Sequence, residues 1–183
     1  LKLSAGRIYG MLRIHYQNEA GADLYAVALN LFANAASARC LQVTGISVSQ
    51  KPLAFTYADE GHTALVAPLY REIKSGESAE IFIEFTLAVP AGTGALGYNK
   101  TGTSLYAILP RIAPVENGML KEAPLTAGAA PTEPSDFRIA FDAGSTKVTA
   151  PETAVQEAGG LWYIAADDET AILIQTQSQE QTP

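Results

Sequence analysis

Residues Ala79–Val89, AEIFIEFTLAV, constrain the fold more than any other stretch. Ala79, Ile81, Ile83, Phe85, Leu87 and Val89 fall on one side of an extended chain, and Glu80, Glu84 and Thr86 on the other. Successive side chains of a strand point to opposite faces, so this period of two specifies a strand with one buried and one wet face. A helix would scatter the same apolar residues around its circumference and bury none of them as a row. Pro90 ends the run, because proline cannot donate to a sheet ladder.

The same alternation recurs along the chain. In Arg7–Asn18, Ile8, Leu12, Ile14 and Tyr16 share one face; Arg7, Met11, Arg13 and His15 share the other. A turn at Asn18–Gly21 leads into Leu24–Phe32, with Tyr25, Val27, Leu29 and Leu31 on one side, so the pair is expected to form a long antiparallel hairpin. Asn34–Arg39 reads as a loop or one helical turn. Leu41 and Val43 are out of phase with Ile46 and Val48, and a slip of one residue flips every later side chain. A β-bulge is therefore expected at Gly45. Leu53, Phe55 and Tyr57 read as the returning strand, Thr63–Pro68 as the next, and Tyr70–Glu77 as a polar connection turning at Lys74–Glu77.

Leu105–Phe141 starts as a strand, breaks at Pro110, loops through Pro114, Pro124, Pro131 and Pro134, and resumes as a strand at Asp136. Phe137–Phe141 and Lys147–Ala150 read as strands around a turn at Asp142–Ser145. Leu161–Ala165 and Ala171–Thr176 read as a final hairpin around Asp167–Glu169, and Gln175–Pro183 as a polar, frayed end. No segment sustains a 3.6-residue period. The class is all-β, with mostly antiparallel neighbours because the connections are short. A single β domain over residues 1–176 with a polar tail at 177–183 is expected.

Composition narrows the function. A chain of 183 residues buries about 70% of its unfolded surface and needs no staples. Its net charge of −7 and pI of 4.8 give no electrostatic reason to seek nucleic acid or anionic lipid. Cys40 is the only cysteine, so no internal disulfide can form, and its place before the apolar run at Leu41 suits a buried, inert thiol. No stretch approaches the ~20 apolar residues of a membrane helix. The opening LKLSAGRIYG lacks the pattern of a signal peptide and lacks Met, so the chain is expected to be cut from a longer protein. Its compartment stays open between membrane-anchored or extracellular and cytoplasmic.

The candidate chemistry is sparse. Gly92-Thr-Gly94-Ala-Leu-Gly97 matches G-x-G-x-x-G, but a dinucleotide site needs a helix to begin inside the motif, and Tyr98–Gly102 is loop chemistry. His15 and His62 are the only histidines and lie far apart, whereas zinc takes three or four ligands. Asp167, Asp168 and Glu169 lack the spacing of a calcium loop. Glu80 and Glu84 share a strand face and are the residue types of a glycosidase pair, yet such pairs arise on any wet sheet. Asn99-Lys-Thr101 is a glycosylation sequon. Tyr98, Tyr106, Trp162 and Tyr163 are the aromatics of a sugar-stacking platform, although Trp162 and Tyr163 are adjacent in a strand and must face opposite sides. No residue of the chain is assigned a catalytic, cofactor-binding or metal-binding role.

One resemblance organises these pieces. Tyr106-Ala-Ile-Leu-Pro110, then Ala113-Pro-Val-Glu-Asn-Gly118, then Ser135-Asp-Phe-Arg-Ile139 and Ala150-Pro151 resemble, in order, the N-terminal domain of the aminopeptidase N family of zinc metallopeptidases, and its bacterial branch most closely. Tyr16-Gln-Asn18 with Leu24-Tyr25 and Leu29–Asn34 is similar to that family's first hairpin. Val43–Tyr57, Ala67-Pro-Leu69 with Ser75-Gly-Glu77 and the strand ending in Pro90, and Leu161-Trp-Tyr163 with Asp167–Thr170 resemble its later segments. Two departures stand out. Glu169-Thr-Ala171 replaces the family's Arg-Asp-Phe, and Ser104–Leu109 carries no Gln or Glu to hold a substrate's free amine.

The resemblance implies a curved, saddle-like β domain that packs on a separate catalytic domain of the same chain, with peptide as substrate. That domain would carry the His-Glu-x-x-His helix, its zinc and a second Glu ligand. No such motif occurs in these residues, so the resemblance implies a non-catalytic wall of the cleft, and an apolar face left bare. The alternative is a standalone, sandwich-like β binding or adhesion module at a cell surface, which predicts no large bare face and a ligand site in its loops.

Overall fold

The computed structural model describes residues 1–4, 6–116, 119–120, 125–127, 129–131, 135–142, 147–149, 155–156, 161–169 and 173–177. The strands of the first half are β1 (Lys2–Ser4), β2 (Arg7–Gln17), β3 (Leu24–Asn30), β4 (Leu41–Val48), β5 (Lys51–Pro52), β6 (Thr56–Tyr57), β7 (Ala64–Ile73) and β8 (Ser78–Ala88). Those of the second half are β9 (Gly97–Asn99), β10 (Gly102–Tyr106), β11 (Arg111–Ile112), β12 (Val115–Glu116), β13 (Met119–Leu120) and β14 (Ser135–Asp142), followed by β15 (Lys147–Thr149), β16 (Val155–Gln156), β17 (Leu161–Glu169) and β18 (Leu173–Gln177). A short helix, α1 (Phe32–Ala36), lies between β3 and β4. The fold is all-β and its sheets are built mainly of antiparallel pairs.

The residues cluster in two compact units: Met11–Thr86 with Leu109–Ala129, and Leu1–Gly10 with Leu87–Ile108 and Ala130–Pro183. The first unit holds two sheets, ordered β2-β8-β4-β5 and β11-β3-β7-β6, and the small pair β12-β13. β8 behaves as its alternation demands: Ile81, Ile83 and Phe85 are buried at every second position, between exposed or half-buried neighbours. Val27, Leu29 and Leu31, with Leu65 and Ala67 of β7, form the buried row of the other sheet. Each large side chain so buried contributes roughly 1.5–3 kcal/mol. In β4 the buried row steps from Val43 to Ile46 across Gly45, three residues instead of two, which is the change of phase the sequence predicts.

Several expected connections are corrected here. β2 and β3 do not pair as a hairpin; β3 lies between β11 and β7, in a different sheet from β2. Buried Asn18 explains the crossing. Its amide donates to the carbonyls of Ala22 and Ile73, both at 2.8 Å, and its backbone N–H donates to Glu77 at 3.0 Å. The turn after β2 is thus tied to the turn after β7 rather than folded back on β2. Tyr25 does not join the buried row but is 69% exposed, because the β3–β7 register shifts between Leu24 and Ala26. Tyr70–Ile73 belong to strand β7, not to a polar connection, and Leu53–Phe55 separate the two short strands β5 and β6.

The second unit also holds two sheets. One runs β16-β17-β14-β1 and on to the first residues of β2; the other is β15-β18-β10-β9. β14 and β17 form a long antiparallel pair, and β1 joins β14 in parallel at Lys2↔Asp142. Phe137, Ile139 and Phe141 are buried opposite Ala166, Ile164 and Trp162, while Tyr163 faces outward. The expected final hairpin is corrected too: β17 pairs with β14 and β16, whereas β18 pairs with β10 and β15. Asp167–Glu169 therefore end a strand instead of forming a turn, and Gln175–Gln177 are strand rather than frayed tail. Residues 143–145 of the expected turn, Pro124, Pro134, Ala150, Pro151, Ala171 and the tail beyond 177 lie outside the described residues.

Candidate functional site

The Gly92–Gly102 stretch opens a basin of about 890 Å³ over β9, β10 and β18. Backbone geometry shapes it. A side chain at Gly102 would place its Cβ 1.8 Å from the carbonyl oxygen of Thr176 on β18, and one at Gly97 would lie 2.9 Å from that of Gly92. These strands approach closely only because glycine has no Cβ. The loop is closed by Gly92 N–H donating to Tyr98 and Tyr98 N–H donating to Pro90, both at 2.9 Å. The β9–β10 turn is held by Asn99, whose Oδ1 accepts from the Thr101 N–H at 2.8 Å, the Thr101 hydroxyl at 2.6 Å and the Gly102 N–H at 3.2 Å.

The side chains around the basin are mainly hydroxyls and amides: Thr101, Thr103, Ser104 and Tyr106 from β10 and its turn, Gln175 and Gln177 from β18, with the cation Lys100 and exposed Leu173 as an apolar edge. Ser104 donates its hydroxyl to the carbonyl of Ala95 at 3.0 Å, which fixes the Gly-rich loop over the strand. Such a lining can hydrogen-bond neutral polar groups. Among the described residues it offers no carboxylate, histidine or thiol to activate those hydroxyls. The glutamines of β18 were not singled out by sequence. Ser104 lies opposite Gln175 and Gly102 opposite Gln177, a pairing across some seventy residues of chain that no local pattern encodes.

The residues weighed from sequence are mostly not brought together. No helix begins in Gly92–Gly97; β9 starts there instead. Glu80 accepts from Arg13 Nε and contacts His15 Nδ1 at 2.8 Å. The hydrogen bond from Arg13, then that from His15, holds the Glu80 carboxyl below the ordinary range, which suits an ion-pair partner and not a general acid. His62 stacks on Tyr57 with ring centres 3.8 Å apart. Cys40 donates its thiol to Ala33 at 3.2 Å, and burial pushes it up to about 11, far from a reactive thiolate. Asp167 pairs with Arg138 at 2.6 Å. Zinc does not fit here: among the described residues no three His, Cys, Asp or Glu groups are placed to share a metal ion.

The M1 zinc metallopeptidase of Deinococcus radiodurans superposes on 93% of this chain with a TM-score of 0.52 and 14% identity, using 38% of its own length. The chain has the fold of the N-terminal region of the M1 zinc metallopeptidases. Yeast LTA4 hydrolase, solved in complex with bestatin, covers 100% of the chain with a TM-score of 0.56 and 10% identity, over 28% of its length. A two-domain M1 zinc metallopeptidase bound to L-arginine matches at a TM-score of 0.54 with 14% identity. At these identities the likeness is one of fold, and the chain spans well under half the length of each protein. No protein-family model matches the sequence, and no curated protein sequence does. Among the described residues no helix is long and apolar enough to cross a membrane.

Proposed function

We propose that this chain is the non-catalytic β domain of a zinc metallopeptidase, shaping one wall of a substrate cleft whose chemistry belongs to a separate catalytic domain. The observation that carries the reading is the coverage: 93–100% of this chain matches 28–38% of metallopeptidase chains. The basin supports it. Its hydroxyls and amides suit a surface that hydrogen-bonds peptide groups and leaves hydrolysis to others. Peptide is the substrate class of this proposal, and the zinc and its ligands lie in the partner domain.

The test is the reading frame that continues past Pro183. The proposal expects a His-Glu-x-x-His segment and a downstream Glu within the next couple of hundred residues, about one zinc per molecule of the full product, and release of N-terminal residues from peptides. The 183-residue chain alone should hydrolyse none of them. A frame that stops near Pro183, or that continues without the zinc motif, would overturn the reading. So would hydrolysis by the 183-residue chain.

A further inference from the structure

A trough of about 460 Å³ lies on the solvent side of the β2-β8-β4-β5 sheet, within the first unit. Gly45 forms part of its floor, and Met11, Phe82 and Pro52 stand around it. Met11 is 69% exposed and offers an apolar side chain at its edge. Glu84 lies across the glycine: a Cβ at position 45 would meet its Oε2 at 3.3 Å. Arg13, on this face, is committed elsewhere. Arg13 and His15 both bind Glu80, and the Arg13 guanidinium sits 5.8 Å from the centre of the Phe82 ring. Glu84 has no ion-pair partner among the described residues.

We propose that this trough docks a lysine side chain of a polypeptide partner. The occupant must bring an apolar stem to cover Met11 and Pro52 and a single positive charge to meet Glu84. A lysine's four-carbon stem and compact ammonium match that division. A guanidinium matches it less well, because its preferred platform, the Phe82 face, already carries Arg13. Gln50 and Ser47 at the rim offer an amide and a hydroxyl to the peptide groups beside the lysine. The net charge of −7 favours approach of a cationic partner from a distance. This inference stands independently of the metallopeptidase reading.

The test is an NMR titration of the full chain with Nα-acetyl-lysine methylamide. Expected are saturable shifts confined to the amides of Met11, Gly45, Ser47 and Phe82–Glu84. Affinity should fall about threefold to fivefold in Glu84→Gln, the loss of one exposed charge pair. Gly45→Val should abolish binding by filling the floor; if that variant fails to fold, Glu84→Gln carries the test. Equal binding by Nα-acetyl-norleucine methylamide would overturn the role of charge. Equal binding by butylammonium would overturn the polypeptide partner. No localised shifts would overturn the site.

Discussion

Strand β8 and the basin over β10 are built on opposite principles. In β8 the side chains decide: buried Ile81, Ile83 and Phe85 alternate with Glu80, Phe82 and Glu84, and the strand can lie only one way up. Around β10 the backbone decides. Gly97 and Gly102 set how closely the strands approach, and the side chains that line the basin are mostly polar. The first kind of region is tuned by volume and the second by the absence of a single carbon atom. Such a surface tolerates variation in its hydroxyls and amides, whereas Gly97 and Gly102 cannot change without moving backbone.

The sharpest way to test this contrast is to break each region on its own terms. Phe85→Ala should cost about 3–5 kcal/mol, read from the denaturant midpoint, because it empties a fully enclosed site. A cost below ~1 kcal/mol would mean that the core is not organised around β8. Gly102→Ala should cost roughly 3 kcal/mol, felt first in the pairing of β10 with β18. Hydrogen exchange should show lost protection at Thr103–Tyr106 and Leu173–Gln177, with Ile81 and Ile83 unchanged. A silent Gly102→Ala would end the claim that backbone contact shapes the basin.

Two turns sharpen the comparison further. Asp59 in the first unit and Asn99 at the basin make the same kind of cap. Asp59 accepts from the Thr63 N–H at 2.9 Å, the Thr63 hydroxyl at 3.0 Å and the Ala64 N–H at 3.1 Å. Burial alone would raise the Asp59 carboxyl, but the hydrogen bonds from Thr63, Ala64 and Gly61 outweigh it and hold the group below its usual value. A lowered folded pKa contributes stability that is complete above the unfolded carboxylate value of about 4 and is lost as pH falls through the folded one. Acid should therefore raise exchange at His62–Ala64 while the neutral Asn99 turn holds, and Asp59→Asn should flatten that dependence. Equal acid sensitivity of both turns would show that another group controls them. The smallest effect is on Cys40: with burial pushing its thiol up to about 11, iodoacetamide at pH 8 should leave it unmodified until denaturant is added.

How far the sequence could be read varied with the kind of contact. The period of two in β8 and β2 was legible, because alternation is a local property of extended chain. The phase change at Gly45 was legible for the same reason. The partners of the strands were not. The turn at Asn18–Gly21 looks like a hairpin turn, yet Asn18 spends its hydrogen bonds on Ala22 and on Ile73, which lies fifty-five residues away. The last two strands likewise look like a hairpin and belong to different sheets. The same limit hid Gln175 and Gln177, polar residues near the chain's end that reach the basin only because β18 pairs with β10.

By itself, then, the sequence determined the alternation of the long strands β2 and β8, the change of phase at Gly45, and where prolines and glycines interrupt. These are matters of side-chain chemistry and near-neighbour geometry, and they act within a few residues. Tertiary structure alone decided the strand order, the crossing between sheets, the basin at β10 and the trough at Gly45. Each of those depends on which backbone donors meet which distant acceptors, and on whether a Cβ finds space, and neither is written in the order of the residues around it.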